Sequence, residues 1–221
     1  MKISILTLFP EMFTGPFDYS IVMRAREKGI VTINLVNIRD FATDAYKTVD
    51  DHPYGGGQGM ILRVDVVDRA LESIGGKGRI ILLDPIGIPY TQAKAQELSK
   101  LNHLILMCGH YEGVDERVRT LVDESVSIGD YVTTGGELPA MVVVDSVVRL
   151  LPGVLRNKAS SEDESFWSHR LEYPQYTRPE VYKKMKVPEI LKMGDHKAIS
   201  NWRDEQAHIR TRRLRPDLTG E

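Results

Sequence analysis

Three glycine-rich segments carry the residues whose types and spacing could do chemistry. The first, Asp50-Asp51-His52-Pro53-Tyr54-Gly55-Gly56-Gly57-Gln58-Gly59-Met60, places four glycines in five positions. Backbone without Cβ atoms can approach a ligand closely and can turn several N–H donors toward an anion. The segment is not a P-loop, because no Gly-Lys-Ser/Thr follows, and it does not fit the dinucleotide fingerprint. Taken alone, a mobile surface loop is its plainer reading. The second, Cys108-Gly109-His110-Tyr111-Glu112-Gly113-Val114-Asp115-Glu116-Arg117, and the third, Ser127-Ile128-Gly129-Asp130-Tyr131-Val132-Thr133-Thr134-Gly135-Gly136-Glu137-Leu138-Pro139, set glycines beside an aromatic ring and a carboxylate. A purine-bearing ligand with hydroxyls needs that combination of backbone contact, apolar cover and hydrogen-bond acceptors. In isolation each also has the look of an ordinary strand-to-helix turn.

Two other stretches carry charge. Asn157-Lys158-Ala159-Ser160-Ser161-Glu162-Asp163-Glu164-Ser165 is polar and acidic without a hydrophobic period, the composition of a linker. Arg210, Arg212, Arg213 and Arg215 near the end of the chain could track a phosphate backbone. A helix whose last turn is basic to suit its macrodipole explains the same run equally well.

The elements that must position these segments follow from the apolar pattern. Ile3–Phe9, Val31–Val36, Ile80–Leu83, Leu104–Cys108 and Ser125–Ile128 read as strands, most of them continuously apolar, as strands buried on both faces of a parallel sheet are. Tyr19–Lys28, Val64–Ser73, Thr91–Lys100 and Val114–Val122 between them read as helices, and another runs from Leu138 to Leu151, stopped by Pro152 and Gly153. This alternation predicts an α/β domain over residues 1–156, a parallel sheet with helices on both faces. The two later glycine segments follow strands, where ligands of open α/β sheets bind. Beyond a linker over residues 157–173, Pro174, Pro179 and Pro188 punctuate short segments. A final helix over about His196 to Arg213, with Ile199, Trp202 and Ile209 as its apolar stripe, makes residues 174–221 a small helical unit.

Composition bounds the rest. At 221 residues and 42% hydrophobic the chain can bury one good α/β core. Its only cysteine, Cys108, lies in an apolar run, which excludes a disulfide framework or a Cys-based metal site and points to a reducing cytoplasm. The apolar start lacks a signal cleavage site and meets Pro10 and Glu11 at once, and no run reaches membrane-spanning length. A net charge of −2 argues against a bulk polyanion binder, yet residues 174–221 hold 11 Lys/Arg against 7 Asp/Glu, a surplus of 4.

In order and at this spacing, the motifs resemble the tRNA (guanine-N1)-methyltransferase family, often called TrmD, of the SPOUT superfamily. The resemblance runs from Ile3, Leu6, Phe9 and Pro10 through all three glycine segments, Pro152-Gly153-Val154 and Tyr176-Thr177-Arg178-Pro179 into the basic tail. It implies a deep trefoil knot near residues 83–140 with S-adenosylmethionine bent into it. By position, Leu83, Pro85, Gly109, Tyr111, Glu112, Ile128, Gly129, Asp130, Tyr131, Val132, Thr133, Gly135, Gly136 and Pro139 would form the cofactor pocket. The family's obligate homodimer has two interface sites, each completed by the partner's linker and tail. Tyr54, Gly55, Gly56, Gly57 and Gly59 would accept the target guanine and its 5′ neighbour. Ser160 with Arg210, Arg212 and Arg213 would contact tRNA, with Lys183, Lys184 and Lys186 adding phosphate contacts. DNA and membranes are not expected as partners.

The reaction the family catalyses sets a further requirement. A sulfonium methyl is already electrophilic, so the protein must position guanine 37 and remove the proton from its N1. Negative charge developing on O6 then needs a cation. The resemblance puts Glu164 where relatives carry the basic aspartate, with Asp163 the neighbouring alternative, and it matches Arg149 to the arginine at O6. Asp84 and His110 are further departures, standing where relatives often have serine and arginine. Magnesium is a candidate helper, although no multi-carboxylate cage is visible in the sequence. Two other functions remain open at this point: a SPOUT enzyme that methylates another RNA or a ribose hydroxyl, and an inactive RNA-binding dimer.

Overall fold

The computed structural model of the chain describes residues 1–155 and 164–219. It divides into two compact units, Met1–Arg156 and Asn157–Glu221. The first contains β1 (Lys2–Thr7), α1 (Ser20–Glu27), β2 (Thr32–Asn37), β3 (Asp50–Asp51), β4 (Ile61–Leu62), α2 (Val64–Ile74), β5 (Arg79–Pro89), α3 (Gln92–Leu98), β6 (His103–Cys108), β7 (Glu124–Ser127) and α4 (Glu137–Val148). Its main sheet has the order β2-β1-β6-β5-β7, and every neighbouring pair is parallel.

Helices cover both faces of this sheet, and the central strands show why. Along β6, Leu104, Leu106 and Cys108 belong to one apolar cluster, while Ile105 and Met107 belong to the other. Alternate side chains point to opposite faces of a strand, so a strand covered on both sides must be apolar at consecutive positions. On one face α1, α3 and α4 contribute Val22, Leu98, Val143, Val144 and Val147. On the other, α2 contributes Val66, Val67 and Ala70, a helical stripe closed by Gly75 at a left-handed φ of 59°. Each fully buried valine or leucine contributes about 1.5–3 kcal/mol of transfer free energy.

Three sequence expectations change. β2 is the edge strand with β1 its only neighbour, so its residues are largely exposed, Leu35 at 39%. Val114–Val122 forms only a 3-10 turn, Glu116–Thr120. The chain is pulled back to the sheet there, because Asp123 accepts from the Ile80 N–H through Oδ2 and donates its own N–H to the Ile80 carbonyl. α4 ends at Val148, where Leu150 and Leu151 turn to tighter bonds with Val147 and Val148.

The second unit contains a two-residue hairpin, β8 (Val181–Tyr182) with β9 (Met185–Lys186), and α5 (His196–Leu214). Asp195 caps α5 by accepting the N–H groups of Lys197 and Ala198 at 3.0 Å. Its buried residues are Ala207 and Thr211, and Ile199 and Trp202 are half-buried. Ile209 is 52% exposed because two residues beyond Ala207 lies on the opposite side of a helix.

β5 holds an irregularity that the apolar pattern conceals. Leu83 and Ile88 both pair with Val126 of β7, so residues 84–87 leave the ladder between them. A Cβ on Gly87 would lie 2.4 Å from the Val126 backbone nitrogen. Gly87→Ala is therefore expected to destabilise the first unit by about 1–3 kcal/mol, the cost of forcing backbone apart, as read from the midpoint of urea unfolding at unchanged slope.

Candidate active site

Leu83, midway along β5, pairs with Cys108 at the carboxyl end of β6, and the β5 excursion together with the chain beyond the ends of β6 and β7 walls a cavity of 320 Å³. The closest approach is backbone on backbone. Gly136 donates its N–H to the Gly109 carbonyl at 2.8 Å, and His110 bridges to Gly135. A Cβ on Gly136 would sit 2.6 Å from Cα of Cys108, so a side chain here has no room. Beside it, Gly109 runs under the Leu83 carbonyl, 3.3 Å from where its own Cβ would be. Gly113 and Gly129 have φ of 137° and 151°, which L side chains rarely adopt. Tyr111 takes φ 60° with a full side chain, and such strain is held only where surrounding structure enforces it.

Polar groups order the loops. Ser127 Oγ donates to the Gly129 carbonyl at 3.0 Å and accepts the Gly129 N–H at 3.2 Å. Thr133 Oγ1 donates to the Gly135 carbonyl at 2.8 Å. Glu137 opens α4 only 2% exposed, and Thr7 of β1 donates its hydroxyl to Oε1 at 2.7 Å. A carboxylate in the first turn of a helix also meets the positive end of its dipole. Burial, and then the Glu137 charge, hold the Cys108 thiol well above its usual range. Burial and the neighbouring Asp50 carboxylate push the Tyr111 phenol up.

Of the residues expected to hold the cofactor, Leu83, Pro85, Gly109, Tyr111, Glu112, Ile128, Gly129, Tyr131, Val132, Thr133, Gly135, Gly136 and Pro139 all line this one cavity. Asp130 does not, and its side chain is exposed on the loop. Asp84, Ile86, His110, Val126 and Ser127 join the lining. Asp84 and His110 stood out as departures from the family pattern, whereas Ile86 is brought in by the excursion in β5, where Pro85 and Gly87 interrupt the strand. Tyr131 and Val132, 57% and 85% exposed, leave apolar surface at the cavity's loops.

The first glycine segment does not line this cavity, but its end packs against Glu112, which does. Glu112 donates its N–H to the Met60 carbonyl at 3.1 Å, and a Cβ on Gly59 would overlap the Glu112 side chain at 2.3 Å. Gly55, Gly56, Gly57 and Gly59 all have positive φ, and Tyr54 is fully exposed. Arg149 lies elsewhere, half-buried at the C-cap of α4 and outside the cavity lining. α4 begins at the cavity, and its 12 residues carry the chain about 18 Å from it. Glu164 belongs to the second unit and is half-buried, its carbonyl accepting the Trp167 N–H. Asp163 and Ser160 lie outside the described residues. On α5, Arg212 and Arg213 are exposed and Arg210 is half-buried. Among the described residues no group of three or more His, Cys, Asp or Glu could hold a metal ion, and no helix is long and apolar enough to cross a membrane.

Fold and site define a class: a parallel α/β protein whose ligand cavity is walled by glycine turns at the ends of two strands and by an excursion of the strand between them. The family described as tRNA (Guanine-1)-methyltransferase TrmD matches residues 1–221. A protein of Geobacillus kaustophilus named tRNA (guanine-N(1)-)-methyltransferase is 57% identical over 225 residues, covering 100% of this chain and 92% of the relative. Proteins of the same name from Syntrophomonas wolfei and Staphylococcus epidermidis are 55% and 54% identical, each covering 99% of this chain and 90% of the relative. The chain belongs to the TrmD family and is an enzyme, a methyltransferase.

Cys108 gives a check on how tightly this crossing is closed. Because the thiol is buried and held protonated, a thiol reagent at pH 8 is expected to leave the folded protein unmodified and to label it stoichiometrically in urea. Rapid labelling of native protein would mean that the Gly136 contact opens readily.

Proposed function

We propose that the enzyme transfers a methyl group from S-adenosylmethionine to N1 of guanine 37 in tRNA. The observation that carries this reading is the cavity walled by the second and third glycine segments and by residues 83–86 of β5, in a chain whose relatives are named for N1 methylation of guanine in tRNA. Its 320 Å³ falls within the range of small-molecule pockets, and it combines glycine backbone, apolar cover and carboxylates. When bound, S-adenosylmethionine supplies an electrophilic methyl. The chain passing from β5 through the crossing of residues 109 and 136 into α4 supports the family's trefoil knot around this cavity.

The protein's own work is to orient the base and manage a proton. The Tyr54–Gly59 segment, anchored at Glu112 and otherwise exposed, receives guanine 37 and the guanine on its 5′ side. A base methylated at N1 must leave its stack to present that edge. Glu164, or Asp163 beside it, takes the N1 proton, and Arg149 meets the charge that develops on O6. Arg149 stands a helix length from its own chain's cavity, which supports a homodimer in which a second copy completes each site. Ser160, Arg210, Arg212 and Arg213, with Lys183, Lys184 and Lys186, hold the tRNA backbone and so give position without reading sequence. Magnesium is left as a helper at O6 or in tRNA folding. The buried lone thiol supports a cytoplasmic setting.

Purified protein incubated with labelled S-adenosylmethionine is expected to methylate a transcript with guanine at position 37 preceded by guanine, giving 1-methylguanosine on nucleoside analysis. A transcript with adenine at 37 should stay unlabelled. A methyl on a ribose oxygen, or equal labelling of both transcripts, would overturn the reading. Glu164→Ala is expected to lower turnover by roughly 10²–10⁴ and Asp163→Ala much less, as loss of a general base requires. Arg149→Ala should lower turnover by about 10² with donor affinity little changed.

A further inference from the structure

The excursion of β5 is an unusual way to build a cavity wall. Residues 84–87 are looped out of the ladder, and Asp84, Pro85 and Ile86 face the cavity, with Ile86 74% exposed. Four looped-out residues need something to hold them in one place. Gly87 packs on the Val126 backbone. Asp84 Oδ1 accepts the Ile86 N–H at 3.0 Å, which closes a turn inside the excursion. Asp84 Oδ2 accepts from Arg119 Nη2 at 2.9 Å.

Arg119 comes from the 3-10 turn Glu116–Thr120, and all of its nitrogens are engaged. Nη1 donates to Ser125 Oγ and Nε to Glu116 Oε2, both at 3.0 Å. One planar guanidinium thus spans three segments, the excursion, the turn and the start of the β7 region, which a lysine's single ammonium could not do with the same geometry. The Asp84 and Arg119 side chains are 13% and 23% exposed. At that depth, removing Arg119 leaves Asp84 as an uncompensated charge. The Glu116 contact, with its carboxylate 83% exposed, contributes little by comparison. Arg119 itself does not line the cavity.

We propose that Arg119 is a positioning residue for the cofactor cavity: by gripping Asp84 it sets residues 84–87 against β7 and fixes that wall in its ligand-ready position. It touches no reacting atom, and its effect reaches the ligand through Asp84, Pro85 and Ile86. This rests on the cavity being the S-adenosylmethionine site. A wall held by charge governs donor affinity, and it leaves tRNA binding to other parts of the chain.

The test is calorimetric titration of the full chain with S-adenosylhomocysteine, the demethylated form of the donor, together with steady-state kinetics. Arg119→Gln is expected to weaken binding about tenfold and to raise the KM for the donor to match, with the KM for tRNA and the turnover at saturating donor within about threefold of wild type. Arg119→Lys should recover part of the loss. Asp84→Ser keeps an acceptor for the Ile86 N–H but breaks the pair, and combined with Arg119→Gln it should add less than its own separate effect, as for two changes to one interaction. If Arg119→Gln does not fold, Asp84→Ser and Arg119→Lys carry the same comparison. Affinity within about twofold of wild type in these folded variants overturns the proposal, as does an equal fall in turnover and both substrates' affinities. Wild-type protein that fails to bind S-adenosylhomocysteine overturns the reading of the cavity, and this inference with it.

Discussion

The contact between Gly136 and Cys108 leaves no space for a methyl group, and much of the first unit is arranged around it. It lays the chain that follows β7 directly over the end of β6, two backbones touching where side chains normally keep them apart. The Gly136-to-Gly109 hydrogen bond and the His110–Gly135 bridge then tie the two loops together. α4 starts at the same point, so its first carboxylate, Glu137, is driven into the core, where Thr7 satisfies it. A cavity floor, a helix start and the link from that helix to β1 are fixed by one close approach.

Around that floor the walls are held in different ways. The loop after β7 is stiffened by Ser127 and Thr133 bonding to nearby backbone. The loop after β6 leans on the first glycine segment through Glu112 and Met60, and on β4 through Gly113 and Leu62. The β5 wall depends on a desolvated ion pair, Asp84 with Arg119. Glycine gives close approach without rigidity, since it has the most conformational freedom to lose. Polar bonds to loop backbone supply the order that glycine cannot. The proposed donor would meet a surface that is largely preformed.

Helix α4 sets a distance as well as a direction. Its amino end touches the cavity and its carboxyl end carries Arg149, with buried valines between them packed on the sheet. A straight helix cannot bring its two ends together. Two residues read from the motif pattern as parts of one site, Gly136 and Arg149, are therefore far apart in a single chain.

Much of this was legible in the residues themselves. Strands covered on both faces are apolar at consecutive positions, so β1, β5 and β6 announce themselves, α2 is marked by its apolar stripe, and α4 by its apolar run and the stop at Pro152. The glycine segments were legible too, because positive φ and close backbone approach tolerate little else, and the second and third did converge on one cavity, which the first only adjoins at Glu112. What stayed hidden depended on partners distant in the chain. The Val114–Val122 helix was cut to a turn by Asp123 bonding to Ile80, β2 was left exposed by its place at the sheet's edge, and the β5 excursion was fixed by Val126 and Arg119. Local sequence thus determined which backbone shapes and which buried faces were available, because those are set by each residue's own sterics and polarity. Tertiary structure alone decided which of them meet, since a contact such as Arg119 with Asp84 is specified by two separate segments and by neither one on its own.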